Sequence, residues 1–192
     1  TGRLFNGDQT PHWHTDGRLS GYKSKEYKGS GFNQLVLDDT TRQNRVQLYS
    51  TNTHAQLNLG YLVTQHGNKR STFYGSGFSL STDDFGAIVT NKGLYLSTHG
   101  RPGAQGTQLD ASEATSQLKA GASLTKSLSD TASKAGAEAL VGQDGLNDFI
   151  DATQDRYDGD GQGGANRFKE PILLAASPAG IGLASAKGMH VH

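Results

Sequence analysis

The chain has 192 residues, with 18 basic and 18 acidic side chains and a formal net charge of zero at neutral pH. That balance excludes the broad positive field of a nucleic-acid binder, and the lack of cysteine excludes disulfides and thiolate metal sites. Apolar residues make up only 33% while glycine reaches 26 residues. This supply suits short strands and turns, or a fold completed by partner chains, better than a thick single-chain core.

Nothing approaches the ~20 apolar residues that span a bilayer, and Thr1 opens no signal-peptide pattern. The start "TGRLFNG" and the end "KGMHVH" read as cuts through a longer chain. Residues 1–31 are rich in turn formers without a sustained period, which predicts an extended linker or strap with a short pairing or two. From 32 to 108 the apolar residues alternate: Leu35 and Leu37, Val46 and Leu48, then Leu57, Leu59, Tyr61 and Val63. Phe78 and Leu80 continue the pattern, as do Ile88, Leu94 and Leu96. "DDTTRQN", "HGNKR" and "STDDFG" separate the segments, so this zone is β.

Residues 109–168 change period. Leu118, Gly121, Leu124, Leu128, Ala132, Ala135 and Ala139 recur at three and four, and Asp110 with Glu113 forms a capping-box pattern. A second helix is predicted from Leu146, Phe149, Ile150, Thr153 and Tyr157, after which "DGDGQGGANR" reads as a flexible connector ending a helical, partly flexible insertion. Residues 169–192 return to β character. Ile88, Lys92, Gly93, Leu94 and Leu96 match Leu183, Lys187, Gly188, Met189 and Val191 at identical offsets. The match suggests similar courses of a β-solenoid on either side of the insertion. Each course has few inward residues, so an apolar face is left for symmetric association, and three chains wound into a prism would cover it.

Candidate chemistry is sparse. His12 and His14 flank Trp13, with Asp16 on the same strand parity, but zinc needs three or four converging ligands. His190 and His192 would bring six imidazoles together in a trimer, yet strand parity sets them opposite the apolar Met189 and Val191. Asp158, Asp160, Gln162 and Gly163 imitate an EF-hand, but Lys169 stands where a bidentate glutamate belongs. Asp38–Asp39 and Asp83–Asp84 have glycosidase chemistry in turn settings. No nucleophile elbow or phosphate loop is present, so no enzyme and no cofactor is expected.

"TGRLFNGDQTPHWHTDG", "SGYKSKEYKGSGFNQLVLDDTTRQNRVQLYSTNTHAQLNLGYL" and "GSGFSLSTDDFGAIVTNKGLYLSTH" resemble, in order, the carboxy-terminal half of VgrG proteins, the spikes of bacterial type VI secretion. "QLDASEATSQLKAGASLTKSLSDTA" and "EPILLAASPAGIGLASAKG" resemble the extension that follows in many of them. The resemblance implies an all-β, intertwined homotrimeric triple-stranded β-helix or prism carrying a helical insertion. Hub and barrel domains would precede it, with the tail tube as their partner, and further β courses would follow His192.

The same resemblance implies a structural needle, assembled in the bacterial cytoplasm and ejected outside or into a target cell, whose membrane it contacts mechanically. Such a needle carries effectors or chaperone–effector complexes and is capped by a PAAR protein. Leu57, Leu59, Leu94, Leu96, Leu183, Met189 and Val191 are the expected trimer core. An adaptor role for residues 109–168 ranks second, and a monomeric carbohydrate-active β-solenoid third.

Overall fold

Short β-rich runs separated by turn formers fold into a meander. The computed structural model describes residues 18–66, 69–138, 140–158 and 164–189. The chain divides into two compact units, Thr1–Ile88 and Val89–His192. His12, His14, His190, Val191 and His192, with Trp13, Asp16, Ala139, Asp160, Gln162 and Gly163, lie outside the described residues.

In the first unit β1 (Leu19–Lys23), β2 (Asn33–Asp38), β3 (Arg45–Ser50), β4 (Gln56–His66) and β5 (Lys69–Ser81) pair antiparallel in sequence order. Alternation would place leucines inside, but here the polar parity is the buried one. Asp38, Arg45, Gln47 and Asn58 are buried, while Leu37, Leu48 and Leu59 on the other parity are exposed. The reason is the long β4–β5 hairpin. Its register slips at Leu62/Val63 and Val63/Gln65, and such bulges bend a strand. Leu62 and Val63 are consequently both buried, though they are neighbours in sequence.

An ionic knot occupies this interior. Asp38 Oδ2 lies 3.5 Å from Arg45 Nε and 3.0 Å from Arg70 Nε, and Asp38 Oδ1 accepts from Thr40 Oγ1 at 2.7 Å. The contacts to both Nε atoms are ionic rather than directed, since none has hydrogen-bond geometry. Arg45 also donates to Val63 O and to the Gln65 side chain, and Arg70 donates to Gln43 Oε1 at 2.6 Å. Burial pushes the Arg45 guanidinium below its usual range, and Asp38 opposes that shift. At Gly60 (φ 91°) a Cβ would stand 2.3 Å from Asn44 O, so only glycine permits this close approach of β4 to the turn that leads into β3.

The second unit holds β6 (Leu94–Ser97), α1 (Ser112–Lys134), α2 (Gln143–Ala152), β7 (Asp155–Asp158), β8 (Gly164–Arg167) and β9 (Leu173–Ala176). β6 and β9 pair parallel, Leu94 opposite Leu173. A parallel pair requires a long crossover, and the α1–α2 segment with β7–β8 is that crossover. Its core joins Ala111, Ala114, Phe168, Leu174 and Ala176, with Tyr95, Leu118 and Phe149 packed against them. The helical segment therefore covers one face of the β6–β9 sheet. Gly93 (φ 110°) allows Phe168 to close in, since a Cβ there would meet Phe168 Cδ2 at 2.6 Å.

Two local expectations need correction. The Asp110/Glu113 capping box does not form: Asp110 Oδ1 accepts from Ser112 N at 3.2 Å, while Glu113 Oε2 binds Arg101 Nη2 at 2.7 Å. Arg101 also reaches Asp110 Oδ2 at 3.1 Å, and this stronger charged partner draws Glu113 away from the backbone. Tyr157 does not continue the second helix but lies in β7, opposite Ala165 of β8. A 2.5 Å ion pair from Arg167 Nε to Asp155 Oδ2 fastens that hairpin, so the glycine-rich stretch connects two paired strands.

Replacing Asp38 by alanine leaves two guanidiniums facing each other with no counter-charge. The expected cost is about 3–5 kcal/mol in chemical unfolding, the range for removing one partner of a buried pair. The Ser112 hydrogen bond, with Arg101 nearby, holds the Asp110 carboxyl below its ordinary range. A depressed folded-state pKa stabilises above the unfolded value and loses that stabilisation as pH falls through the folded one. Unfolding midpoints taken from about pH 5 to pH 2 should fall, and Asp110→Asn should show a shallower fall from a lower starting stability.

Candidate assembly face

The five-stranded sheet turns a continuous apolar surface to solvent. Register places Tyr22, Leu35, Leu48, Leu57 and Leu80 in one cross-strand row, and Leu37, Val46, Leu59 and Phe78 in the next. Cross-strand neighbours on one face of a sheet lie close enough to form a single patch. Leu48 is 50% exposed, Leu80 67% and Phe78 78%. A shallow groove of about 450 Å³ runs over this face between Tyr22, Leu35, Leu48 and Leu57. A monomer rarely leaves so contiguous an apolar area in water, and such patches mark interaction sites.

The second unit repeats the division. Tyr95, Leu174 and Ala176 face the core, whereas Leu94 and Leu96 share the opposite face with Leu173. Leu96 is 50% exposed and Leu173 65%. In the tail after β9, Leu183 and Met189 are exposed and belong to no strand of this chain. Ser177 Oγ accepts from Ala179 N and Gly180 N, and Ser185 Oγ accepts from Lys187 N and Gly188 N. The tail thus repeats one serine turn eight residues apart. At the Lys92–Gly93 site the hydroxyl acts in the other sense, Thr90 Oγ1 donating to Gly93 O at 3.0 Å. Between Thr82 and Gly93 the chain makes no ladder with a described strand, although Phe85, Ile88 and Val89 are exposed there.

Of the expected core residues, Leu57 and Leu59 stand together on the sheet's apolar face, and Leu94 with Leu96 on the outward face of β6. Leu35, Leu37, Leu48, Phe78, Leu80 and Leu173 belong to the same surfaces. Their alternation was visible in sequence, but pairing register alone sets them side by side.

Three of the four carboxylates in the acidic pairs, those of Asp38, Asp83 and Asp84, have structural partners. Asp38 is locked between arginines, and Asp39 N donates to Arg18 O at 2.8 Å. Asp83 Oδ2 lies 2.7 Å from His54 Nδ1, both exposed, and Asp84 Oδ1 accepts from Phe85 N. Lys169 pairs with Asp151 at 2.6 Å. Among the described residues no three His, Asp or Glu side chains converge as metal ligands. No described helix is long and apolar enough to cross a membrane.

A family model described as putative type VI secretion system Rhs element Vgr matches residues 25–132, more than half of the chain. The chain belongs to the Vgr family of type VI secretion. It is 35% identical over 96% of its length to the spike protein VgrG2b of Pseudomonas aeruginosa, and 35% identical over 94% to VgrG2a of the same organism. It spans 18% and 22% of those two proteins. Among solved structures it resembles a VgrG spike of the type VI secretion system, with a TM-score of 0.72 and 26% identity over 90% of this chain and 58% of that one. It also resembles a VgrG spike with the Tle1 effector bound, with a TM-score of 0.73 and 25% identity over 91% of this chain and 48% of the other. This Vgr chain is thus mostly strands with few helices, as a spike segment, and its relatives carry spike names rather than enzyme names.

Proposed function

We propose that the chain is a shaft section of a homotrimeric spike, in which three copies close their apolar faces around a common axis as a β-helical prism. The observation that carries this reading is the inverted sheet, with ions and amides inside and leucines outside. Leu57, Leu59, Leu94, Leu96, Leu183, Met189 and Val191 are the proposed axial residues. The extended segment Thr82–Gly93 and the serine-turn tail supply backbone for pairing between chains.

The mechanism is mechanical. Interchain backbone bonds and a dry axis resist bending while force is applied along the shaft, so the spike breaches a target envelope without spanning it. In the longer protein the hub meets the tail tube, and a PAAR protein caps the tip. Assembly takes place in the bacterial cytoplasm and ejection follows. In this reading residues 1–31 are the strap into the shaft, 32–108 its wall and 169–192 its further courses.

A second role in the same protein is effector carriage through residues 109–168. Leu124 and Leu128 of α1 are each 62% exposed, and Leu140 and Val141 are exposed beyond the helix end. A VgrG spike in this fold has been solved with an effector bound, and these side chains are the apolar anchors the helices offer for one.

The first measurement is the mass of the purified chain by light scattering at two concentrations. A mass near three times 20.4 kDa is expected, and a folded single chain would reject the assembly. Burial of one leucine contributes about 2 kcal/mol, so Leu94→Asp or Leu59→Asp, which sets three carboxylates on the axis, should reduce the mass to that of one chain.

Removing residues 109–168 would uncover Tyr95, Leu174 and Ala176, so point changes are the cleaner probe of carriage. The Leu124→Glu/Leu128→Glu double variant should retain the trimeric mass and lose the co-purifying effector. Full retention of the effector would reject docking on α1.

A further inference from the structure

The concave face of the first unit, opposite the apolar rows, contains a cleft of about 530 Å³. That is within the roughly 300–1,000 Å³ of small-molecule sites. Its wall is an amide ladder. Gln34 Nε2 donates to Gln47 Oε1 at 3.0 Å, and Gln47 Nε2 donates to Gln56 Oε1 at 3.5 Å. Gln56 Oε1 also accepts from Asn58 Nδ2 at 3.0 Å. Gln47 is buried, which fixes the middle of the ladder. At its two ends the Gln34 carbonyl oxygen and the Gln56 amide nitrogen have no partner among the described residues. Tyr49, Tyr74 and Phe32 supply flat apolar surface, and Ser79 and Ser81 supply hydroxyls.

Charge narrows the ligand. Among the described residues no carboxylate and no arginine lines the cleft, and the one described lysine there, Lys23, has its Nζ 3.8 Å from the centroid of the Phe32 ring. The described lining offers no carboxylate to neutralise an amine or a metal and little to hold a phosphate. It offers linked amide donors and acceptors on adjoining rows of one face, which match adjacent hydroxyl or acetamido groups, beside aromatic faces that match the C–H face of a sugar ring. We propose that this cleft binds a neutral, hydroxyl-rich sugar chain. The proposal rests on the assembly above in one respect: burying the leucine face at the axis leaves the amide face outward on the flank of the shaft.

The test uses the full chain after its mass has been measured, titrated by calorimetry with chitotetraose and with maltotetraose. Saturable binding of at least one, at one site per chain, is expected. Gln34→Ala and Gln56→Ala should each weaken it about tenfold, the loss of one well-made hydrogen bond, with the far-ultraviolet β signal unchanged. Ser79→Phe, which fills the cleft, should abolish it. Preference for chitotetraose assigns the site to N-acetylated wall-type glycan, and preference for maltotetraose to unsubstituted glucan. A trimer that binds neither sugar overturns the cleft and leaves the assembly standing. A single chain that binds overturns only the assembly. Binding that both glutamine variants retain in full overturns the site assignment.

Discussion

Asp38 lies fully inside the first unit with an arginine on either side, and the geometry of the whole sheet follows from keeping that trio out of water. One carboxylate between two guanidiniums is supported there by Val63 O, Gln65 and Gln43, each of which accepts from an arginine terminal nitrogen. Val63, Gln65 and Arg70 are brought into reach by the bulged end of the β4–β5 hairpin, while Gln43 comes from the turn between β2 and β3. A buried ion left without partners is among the costliest defects a protein can carry. Once the ions and amides fill the inside of the curl, strand alternation leaves the leucines no place but the outside.

The second unit reaches a similar division by a different route. Its two-stranded parallel sheet has one face covered by Ala111, Ala114 and Phe168, all contributed by the crossover that parallel pairing demands. The other face, with Leu94, Leu96 and Leu173, leaves Leu96 and Leu173 at least half exposed. Each unit is therefore folded on one side and unfinished on the other. An exposed leucine surface is a liability for a monomer and an asset for a protein that assembles, and this links the packing to the proposed shaft. It also gives the helices two tasks, with α1 closing the sheet at its start and exposing Leu124 and Leu128 farther along.

Much of this was legible in the chain's own pattern. The alternation of Leu35, Leu37, Val46, Leu48, Leu57 and Leu59 marked strands, and the spacing of Leu118, Gly121, Leu124 and Leu128 marked a helix, because both follow from local backbone geometry. The fate of Glu113 was not legible, since Arg101, twelve residues away, competes for it through a loop whose path no local rule predicts. Tyr157 fitted a helical spacing, yet pairing with Ala165 on a neighbouring strand overrode it. The amide cleft was invisible for a related reason: Gln34, Gln47 and Gln56 come from three strands, and only register sets Gln34 and Gln56 on either side of Tyr49 with Gln47 in the adjoining row.

By itself the sequence determined the periodicities, the places where the chain must turn, the thin apolar supply and the balance of charge. These depend on neighbours a few residues away and on totals, and they are why strands, helices and an incomplete core could be read directly. The tertiary structure alone decided which side of each strand is inside. Period two assigns two faces without naming the buried one, and that choice fell to the bulge at Leu62–Val63 and the distant trio Asp38, Arg45 and Arg70. A leucine row looks like a core in sequence. It becomes a surface when charges from three strands and a folded-back hairpin claim the interior first.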